Sequence, residues 1–347
     1  MRRKILSPRP AATIAREKFL IGWGDSMLRA RTQRGYMKAT AIINPASSVG
    51  QTSTRVDEVI SALGAVGIEA EVVLSERPLH ARDVARALGR DGQMVLAVGG
   101  DGTVNEVAQG LLESESTSVL GILPFGTGND FARMIGMSND LETAVGQLKT
   151  AEPVKVDIGR VRWKQADNAF SCIFVNAIGI GFDGHVASIA PRYKGYPFQL
   201  GYLAAILVAL TTWKDVGVTV SDLDAASSKQ FTGPLFFVTV GNAQDSGGGY
   251  TINPKASIVD GRLDVCLVRS LPKLRALRML PSARTGGHLE YNEVQYWQST
   301  GIRIEMERGI PIHMDGEVRS LNASEVEVTV DPRALNVMVP TDKINDI

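Results

Sequence analysis

Two glycine-rich segments carry residue types at a spacing that suits phosphate. The first, Gly99-Gly100-Asp101-Gly102-Thr103-Val104-Asn105, leaves the apolar run Met94–Val98 and enters a helix-patterned stretch. Glycines let backbone N–H groups approach an anion closely, and a helix N-terminus adds positive partial charge. Asp101 would be out of place beside phosphate alone; it makes sense beside a divalent cation or a reacting hydroxyl. Asp101 as a plain helix cap in a tight turn is the simpler alternative. The second segment, Pro124-Phe125-Gly126-Thr127-Gly128-Asn129-Asp130-Phe131-Ala132-Arg133, follows the next apolar run, Val119–Leu123. Two such turns on successive elements predict one crevice with two phosphate-facing walls. Asn44-Pro45-Ala46-Ser47-Ser48 adds a third loop on the same edge. No Walker sequence occurs. Gly179-Ile180-Gly181-Phe182-Asp183-Gly184 mimics a dinucleotide fingerprint, but the acid required about 20 residues later is absent, since Val186 to Lys214 contains no Asp or Glu.

The elements that must hold these turns follow from hydrophobic periodicity. Thr40–Asn44, Glu69–Leu74, Met94–Val98 and Val119–Leu123 read as buried strands. Between them lie helical patterns: Val56 to Val66 behind a cap at Ser53 or Thr54, Ala81 to Leu88 stopped by Gly89, and Val104–Leu112. Apolar strands separated by helices predict a parallel sheet. After Val154–Val161 the texture changes. Ser171–Ile178, Leu235–Val240, Leu263–Val268, Gln295–Ser299, Ile302–Met306 and Val326–Val330 are strand-like. Leu200–Thr212 and Lys273–Leu280 are the helical exceptions. This half is expected to be antiparallel β, a sandwich or barrel.

The 347 residues are 44% apolar and 21% charged, with 37 basic and 37 acidic residues. That composition excludes a disordered chain. Residues 1–38 hold ten Lys/Arg and two acids, a net +8, which leaves −8 for the rest. An acidic body argues against nucleic acid as partner. The leader lacks the apolar core of a signal peptide; it is expected to be a disordered tail or an untranslated stretch before Met37. Cys172 and Cys266 read as core thiols, and four scattered histidines predict no zinc site. The longest apolar stretch, Leu200–Leu210, is too short to span a bilayer.

Taken together, Gly99–Val107 and Pro124–Arg133 resemble the diacylglycerol kinase catalytic domain, in particular the bacterial lipid kinases related to sphingosine and ceramide kinases. Asn44-Pro45, Asn176 to Asp183, Gly241-Asn242, Gly247-Gly248-Gly249, Asp260-Gly261-Arg262-Leu263-Asp264-Val265 and Asp315-Gly316-Glu317 extend the likeness from about Ala39 to the C-terminus. The resemblance implies an α/β plus mainly-β chain. Its N-terminal NAD-kinase-like three-layer domain would span 39–160, joined by 331–347, and an antiparallel β-sandwich or barrel-like lipid domain would span 161–330. ATP would lie in the cleft, touching Asn44, Pro45, Ala46, Ser47, Ser48, Ser75, Gly99, Gly100, Asp101, Gly102, Thr103, Val104, Asn105 and Thr127. Ser48 departs from the glycine common there. A structural Mg2+ is implied at Ser257, Asp260 and the Arg262 carbonyl.

For the base that takes the lipid hydroxyl proton the likeness offers Glu317 or Asp101; Glu317 is favoured, with Asp101 on the nucleotide and magnesium. Read from the residues alone, Asp315-Gly316 also suits a plain hairpin turn. The implied acceptor is diacylglycerol, giving phosphatidic acid; sphingoid-base kinase, NAD kinase and a non-catalytic nucleotide-binding regulator are the rivals. Pro197–Trp213, with Phe198, Tyr202, Ile206, Leu207 and Trp213, would line the lipid path or simply pack on the sheet. A cytoplasmic protein is implied, transiently associated with the inner face of the membrane, with a homodimer left open.

Overall fold

The structure is a computed structural model that describes residues 37–45, 52–89, 93–114, 117–193, 195–196, 198–224 and 229–347. Strands β1 (Met37–Ile43), β2 (Ile68–Leu74), β3 (Met94–Gly99) and β4 (Val119–Pro124) form a parallel sheet in the order β2-β1-β3-β4. Every residue of β3 is buried, as expected of a strand covered on both faces. The crossovers are α1 (Thr52–Ala65), α2 (His80–Leu88) and α3 (Asp101–Glu113). Helix α1 is already helical at Thr52, one residue ahead of the earlier predicted cap. Helices α4 (Asp130–Met134) and α5 (Leu141–Thr150), which periodicity did not reveal, follow β4.

The second half contains β5 (Glu152–Gln165), β6 (Asn168–Phe174), β7 (Ala177–Gly181), α6 (Phe182–Ile189), α7 (Phe198–Thr212), β8 (Val216–Asp222), β9 (Gln230–Gly241), β10 (Leu263–Arg269), α8 (Lys273–Met279), β11 (Val294–Ser299), β12 (Gly301–Met314) and β13 (Glu317–Val339). Strands β12, β8, β9 and β7 pair in a ring that closes on itself, and β10 and β11 extend from β9. This is the expected β-rich half with barrel-like closure. Closure removes the unpaired edges that an open antiparallel sheet would present.

One strand ties the halves together. β13 leaves the ring antiparallel to β12, runs beside β5, and reaches the parallel sheet, where Val337 pairs with Leu120 of β4. Its register against β5 shifts between Asp331 and Leu335, with Arg333 at φ 51°. One core lies on the parallel sheet and includes Leu335, Val337 and Val339 from this returning strand. The other fills the β-rich half around Phe174, Ile178, Trp213 and Phe236.

The single strand expected over Ser171–Ile178 is two strands, broken at Val175-Asn176. Those amides donate to a side chain, Asp315, instead of a neighbouring strand. Cys266 is buried, but Cys172 is only half-buried, because β6 lies against β5 alone. Among the described residues no helix is long and apolar enough to cross a membrane.

Candidate active site

The two glycine turns touch. A Cβ on Gly100 would stand 3.0 Å from Gly126 Cα, and one on Gly126 would collide with Gly100 Cα. Glycine at both positions is therefore what lets the loops after β3 and β4 meet. Phe125 N–H donates to the Gly99 carbonyl at 2.8 Å, and Asn129, at φ 52°, folds the second turn by accepting from Gly126 N–H at 2.9 Å.

Asp101 stands at the first turn of α3. Its Oδ1 accepts from Phe131 N–H at 3.1 Å and from Asn176 Nδ2 at 3.2 Å, so three segments converge on one carboxylate. Burial pushes the Asp101 pKa up, and the nearby Asp130 charge adds to that. Asp130 is itself buried, with Oδ1 on Arg133 at 2.7 Å and Oδ2 accepting from Gly248 N–H at 3.0 Å. Arg133 continues to Asp245 at 2.9 Å. Gly247, Gly248 and Gly249 all have positive φ (67°, 76°, 100°), a backbone run that L side chains resist. That run carries the Gly248 amide to Asp130.

Glu317 reaches the same place from the far end of the chain. Asp315 (φ 48°) and Gly316 (φ 80°) make the tight turn between β12 and β13, a left-handed pair that Asp-Gly supplies well. The Asp315 carboxylate accepts from the backbone N–H groups of Val175, Asn176 and Ala177 at 2.9, 2.8 and 3.1 Å, and from Asn105 Nδ2 at 2.7 Å. Burial pushes its pKa up to about 6 against those four donors. With the turn so anchored, Glu317 Oε1 comes within 2.7 Å of where a Gly102 Cβ would stand, while Oε2 pairs with Arg319 at 3.0 Å. Glu317 stays half open to solvent, at 51% side-chain exposure. It already borders Gly102.

The remaining expected nucleotide residues are distributed around this crevice. Asn44 Nδ2 donates to Thr103 Oγ1 at 3.3 Å, and Ser75 N–H bonds the Ile43 carbonyl, so the ends of β1 and β2 adjoin the Gly99 turn. Thr127 is exposed at the tip of the second turn. Pro45 is described, whereas Ala46, Ser47 and Ser48 lie outside the described residues. Val104 is buried in the core, and Asn105 directs its amide to Asp315 and the Ile173 carbonyl. Asp130, Asn176 and Asp315 stand in the quoted motifs but carry no role in the sequence reading. The Asn-Asp pair of the second turn and the acid immediately before Gly316-Glu317 were the available signals.

Ser257, Asp260 and Arg262 form a separate loop. Asp260 Oδ1 accepts from Arg262 N–H at 2.9 Å and its Oδ2 from Gln298 Nε2 at 2.9 Å, while Ser257 Oγ donates to the Ile347 carbonyl at 3.2 Å. Neighbouring Asp157 accepts from Gly261 and Arg333 N–H groups, at 2.6 and 2.7 Å. Burial raises the Asp157 and Asp264 pKa values, and the Asp260 charge adds to both. Among the described residues no three His, Cys, Asp or Glu side chains converge as a ready-made metal set, so carbonyl or phosphate oxygens would have to complete any shell.

The dinucleotide-like glycines serve packing. A Cβ on Gly179 would collide with Asp183 and His313, and one on Gly184 with the Pro311 carbonyl. Asp183 also lines an apolar cavity of about 80 Å³ together with Tyr202, Ile206, Leu210, Phe236 and Met279. Gly247 adjoins the Tyr202 hydroxyl, where an added Cβ would be 2.7 Å away, so the cavity runs toward the loop that holds Asp130. Of the helix residues expected on a lipid path, Tyr202 and Ile206 line this cavity. Leu207 instead faces solvent, and Trp213 packs edge-on against Phe182, because a helix shows each partner only one stripe. Phe198 lies at a position whose side chain is outside the described residues.

Residues 38–161 match the diacylglycerol kinase catalytic domain, and residues 176–339 match the YegS C-terminal NAD kinase beta sandwich-like domain. A diacylglycerol kinase of Mycobacterium tuberculosis is 28% identical over 305 residues, 87% of this chain and 95% of that protein. A YegS-like lipid kinase of Pseudomonas aeruginosa is 30% identical over 260 residues, 75% of this chain and 80% of that one. The crystal structure of a diacylglycerol kinase from Bacillus anthracis superposes with a TM-score of 0.65 at 19% identity, covering 89% of this chain and 99% of that chain, a likeness of fold. With both domain matches in sequence and a relative at 30% identity over most of its length, the chain belongs to the diacylglycerol kinase and YegS-like lipid kinase family.

Proposed function

We propose that this kinase transfers the γ-phosphate of ATP to the free hydroxyl of diacylglycerol, giving phosphatidic acid and ADP. The observation that carries the reading is the meeting of the Gly100 and Gly126 turns with Glu317 Oε1 beside Gly102; an apolar cavity lined by Tyr202 and Ser246 lies next to the glycine run whose Gly248 amide bonds Asp130. Backbone amides of the two turns and the N-terminus of α3 would bind the phosphates. The acceptor's acyl groups would occupy the cavity beside Tyr202 and Ile206. Glu317 would take the hydroxyl proton as the lipid oxygen bonds to the γ-phosphorus and the bond to the β,γ-bridging oxygen breaks. The phosphate ester forms, and ADP leaves.

Glu317 is the better base because it is accessible and near the crevice. Asp101 is buried and bonded through Oδ1 to Phe131 and Asn176, which suits holding rather than accepting. Bound magnesium supplies charge neutralisation on the phosphates. Asp101 and Asp130 would hold it, a role supported by their Oδ2 atoms, which stand 2.9 and 3.9 Å from where a Gly128 Cβ would be. At Ser257, Asp260 and the Arg262 carbonyl a second ion would stabilise the loop against the returning chain end. The domains would divide as 39–160 with 331–347 for nucleotide and 161–330 for lipid, a division supported by the two separate cores. Labelled-ATP assays with diacylglycerol, sphingosine, ceramide and NAD test the reading. Label in phosphatidic acid alone is expected; label only in NADP or a sphingoid phosphate overturns the acceptor, and label in none overturns the kinase reading.

A further inference from the structure

Helix α7 is apolar on every side: from Leu200 to Thr212 it has no charged residue. A helix of that kind is normally covered all round. Here only one stripe is covered, the one formed by Tyr202, Ala205, Ile206, Ala209 and Leu210. On the opposite side Leu200, Leu203 and Leu207 are 62%, 38% and 43% exposed, one above another at helical spacing. Helix α8 repeats the arrangement. Ala276 and Met279 face inward, whereas Leu274 and Leu277 are 62% and 39% exposed. The two helices are tied together, since Lys273 Nζ donates to the Thr211 carbonyl at 3.0 Å. Both wall the apolar cavity, through Tyr202, Ile206 and Leu210 on one side and Ala276 and Met279 on the other.

The segments that carry these leucines are basic, with Asp215 and Glu293 as acids bonded to them. Residues 184–214 contain Arg192, Lys194 and Lys214 and no acid; residues 265–289 contain Arg269, Lys273, Arg275, Arg278 and Arg284 and no acid. Elsewhere the described body is acidic on balance. Arg275 is paired with Glu293, while Arg192, Lys214 and Arg278 are exposed. Exposed leucines rimmed by cations are the makeup of a surface that inserts shallowly among headgroups of an anionic bilayer.

The geometry points to the outer sides of α7 and α8 as the face that docks on an anionic lipid bilayer, with the cavity between them opening to the same lipid phase. The cavity itself argues for this. Sites that enclose a drug-sized ligand measure about 300–1,000 Å³, against about 80 Å³ here. Two acyl chains cannot be enclosed, so most of each must stay in the bilayer while the headgroup reaches the Asp130 loop. A second copy of the chain fits this face poorly. A two-fold pairing sets each surface against its own image, cation against cation.

The inference rests on the lipid-kinase reading for its purpose, but its test is independent of catalysis. The full chain is sedimented, without ATP, with vesicles of phosphatidylcholine alone and with vesicles containing about one-third phosphatidylglycerol. Binding is expected only to the anionic vesicles and should weaken in 0.5 M salt, as screening shortens the Debye length well below about 10 Å. Leu203→Asn/Leu207→Asn and Arg192→Glu/Arg278→Glu should each lower the bound fraction about tenfold, with melting temperature unchanged. Both variants should retain wild-type turnover on a short-chain, dispersed diacylglycerol. Equal binding by the variants, no preference for anionic vesicles, or a dimer that the leucine variant dissolves overturns the docking face. Absence of turnover by every form, with vesicle binding intact, overturns the kinase reading instead.

Discussion

Asn105 and Asp315 are 210 residues apart in the chain, and the Asn105 amide donates to the Asp315 carboxylate at 2.7 Å. The bond joins the helix that follows the first glycine turn to the hairpin that carries Glu317. It sets the distance between the phosphate-facing wall and the candidate base, and does so from a buried position where replacement donors are few.

Asn105→Ala should therefore loosen the hairpin as well as the fold. Loss of the amide removes its bond to the Ile173 carbonyl and leaves Asp315 Oδ2 with the Val175 N–H alone, a cost of about 1–3 kcal/mol. Chemical denaturation should show that loss. Turnover is expected to fall more than nucleotide affinity, because the phosphate-binding turns themselves keep their contacts.

Glu317→Gln tests the base. A general base contributes about 10²–10⁴-fold, so turnover should drop within that range while ATP binding measured by calorimetry is kept. Asp101→Asn should instead raise the magnesium concentration needed for half-maximal rate. Near-normal turnover in Glu317→Gln, with a loss of base-dependent pH behaviour in Asp101→Asn, would reverse the assignment.

Gly126→Ala should separate the two turns. The new Cβ meets Gly100 backbone, which cannot move as a flexible side chain would. An increase in ATP KM of at least about tenfold, corresponding to about 1.4 kcal/mol, is expected, with circular dichroism unchanged.

Asp260→Ala addresses the second metal loop. Wild-type melting temperature should rise with magnesium in the absence of nucleotide, by ligand linkage to the folded state. The variant should lose that rise. An identical magnesium response in both proteins would remove Asp260 from metal binding.

Buried His313 and partly buried Asp183, 2.9 Å apart, make stability depend on pH. Burial lowers the His313 pKa, but the Asp183 charge and hydrogen bond outweigh it, leaving the folded value above 6.5. Its contribution is therefore complete below about 6.5 and is lost as pH rises through the raised folded value. Asp183→Asn should cost about 1–3 kcal/mol at pH 6 and clearly less at pH 9. Thermal melts at the two pH values check the difference.

The local grammar of this chain was readable without coordinates. Met94 to Asn105 is a run of apolar residues, then glycines, then a helical pattern; strand, turn and helix follow from short-range sterics and periodicity, and with them the anion-binding character of Gly99–Thr103. The same logic marked the β-rich half and the helix over Leu200–Thr212. It could not show that Val175-Asn176 would break a strand, since the cause is a carboxylate 139 residues later. Only the family resemblance ranked Glu317, since its surroundings at Gly102 are not local, and nothing in the pattern could distinguish Leu207 from Ile206 when both fit one apolar helix. Side-chain type and spacing govern what each segment can form by itself. Which loops touch, which acids share a crevice and which leucines remain uncovered depend on long-range pairing, because β13 brings the end of the chain back to β4 and no local rule encodes that return.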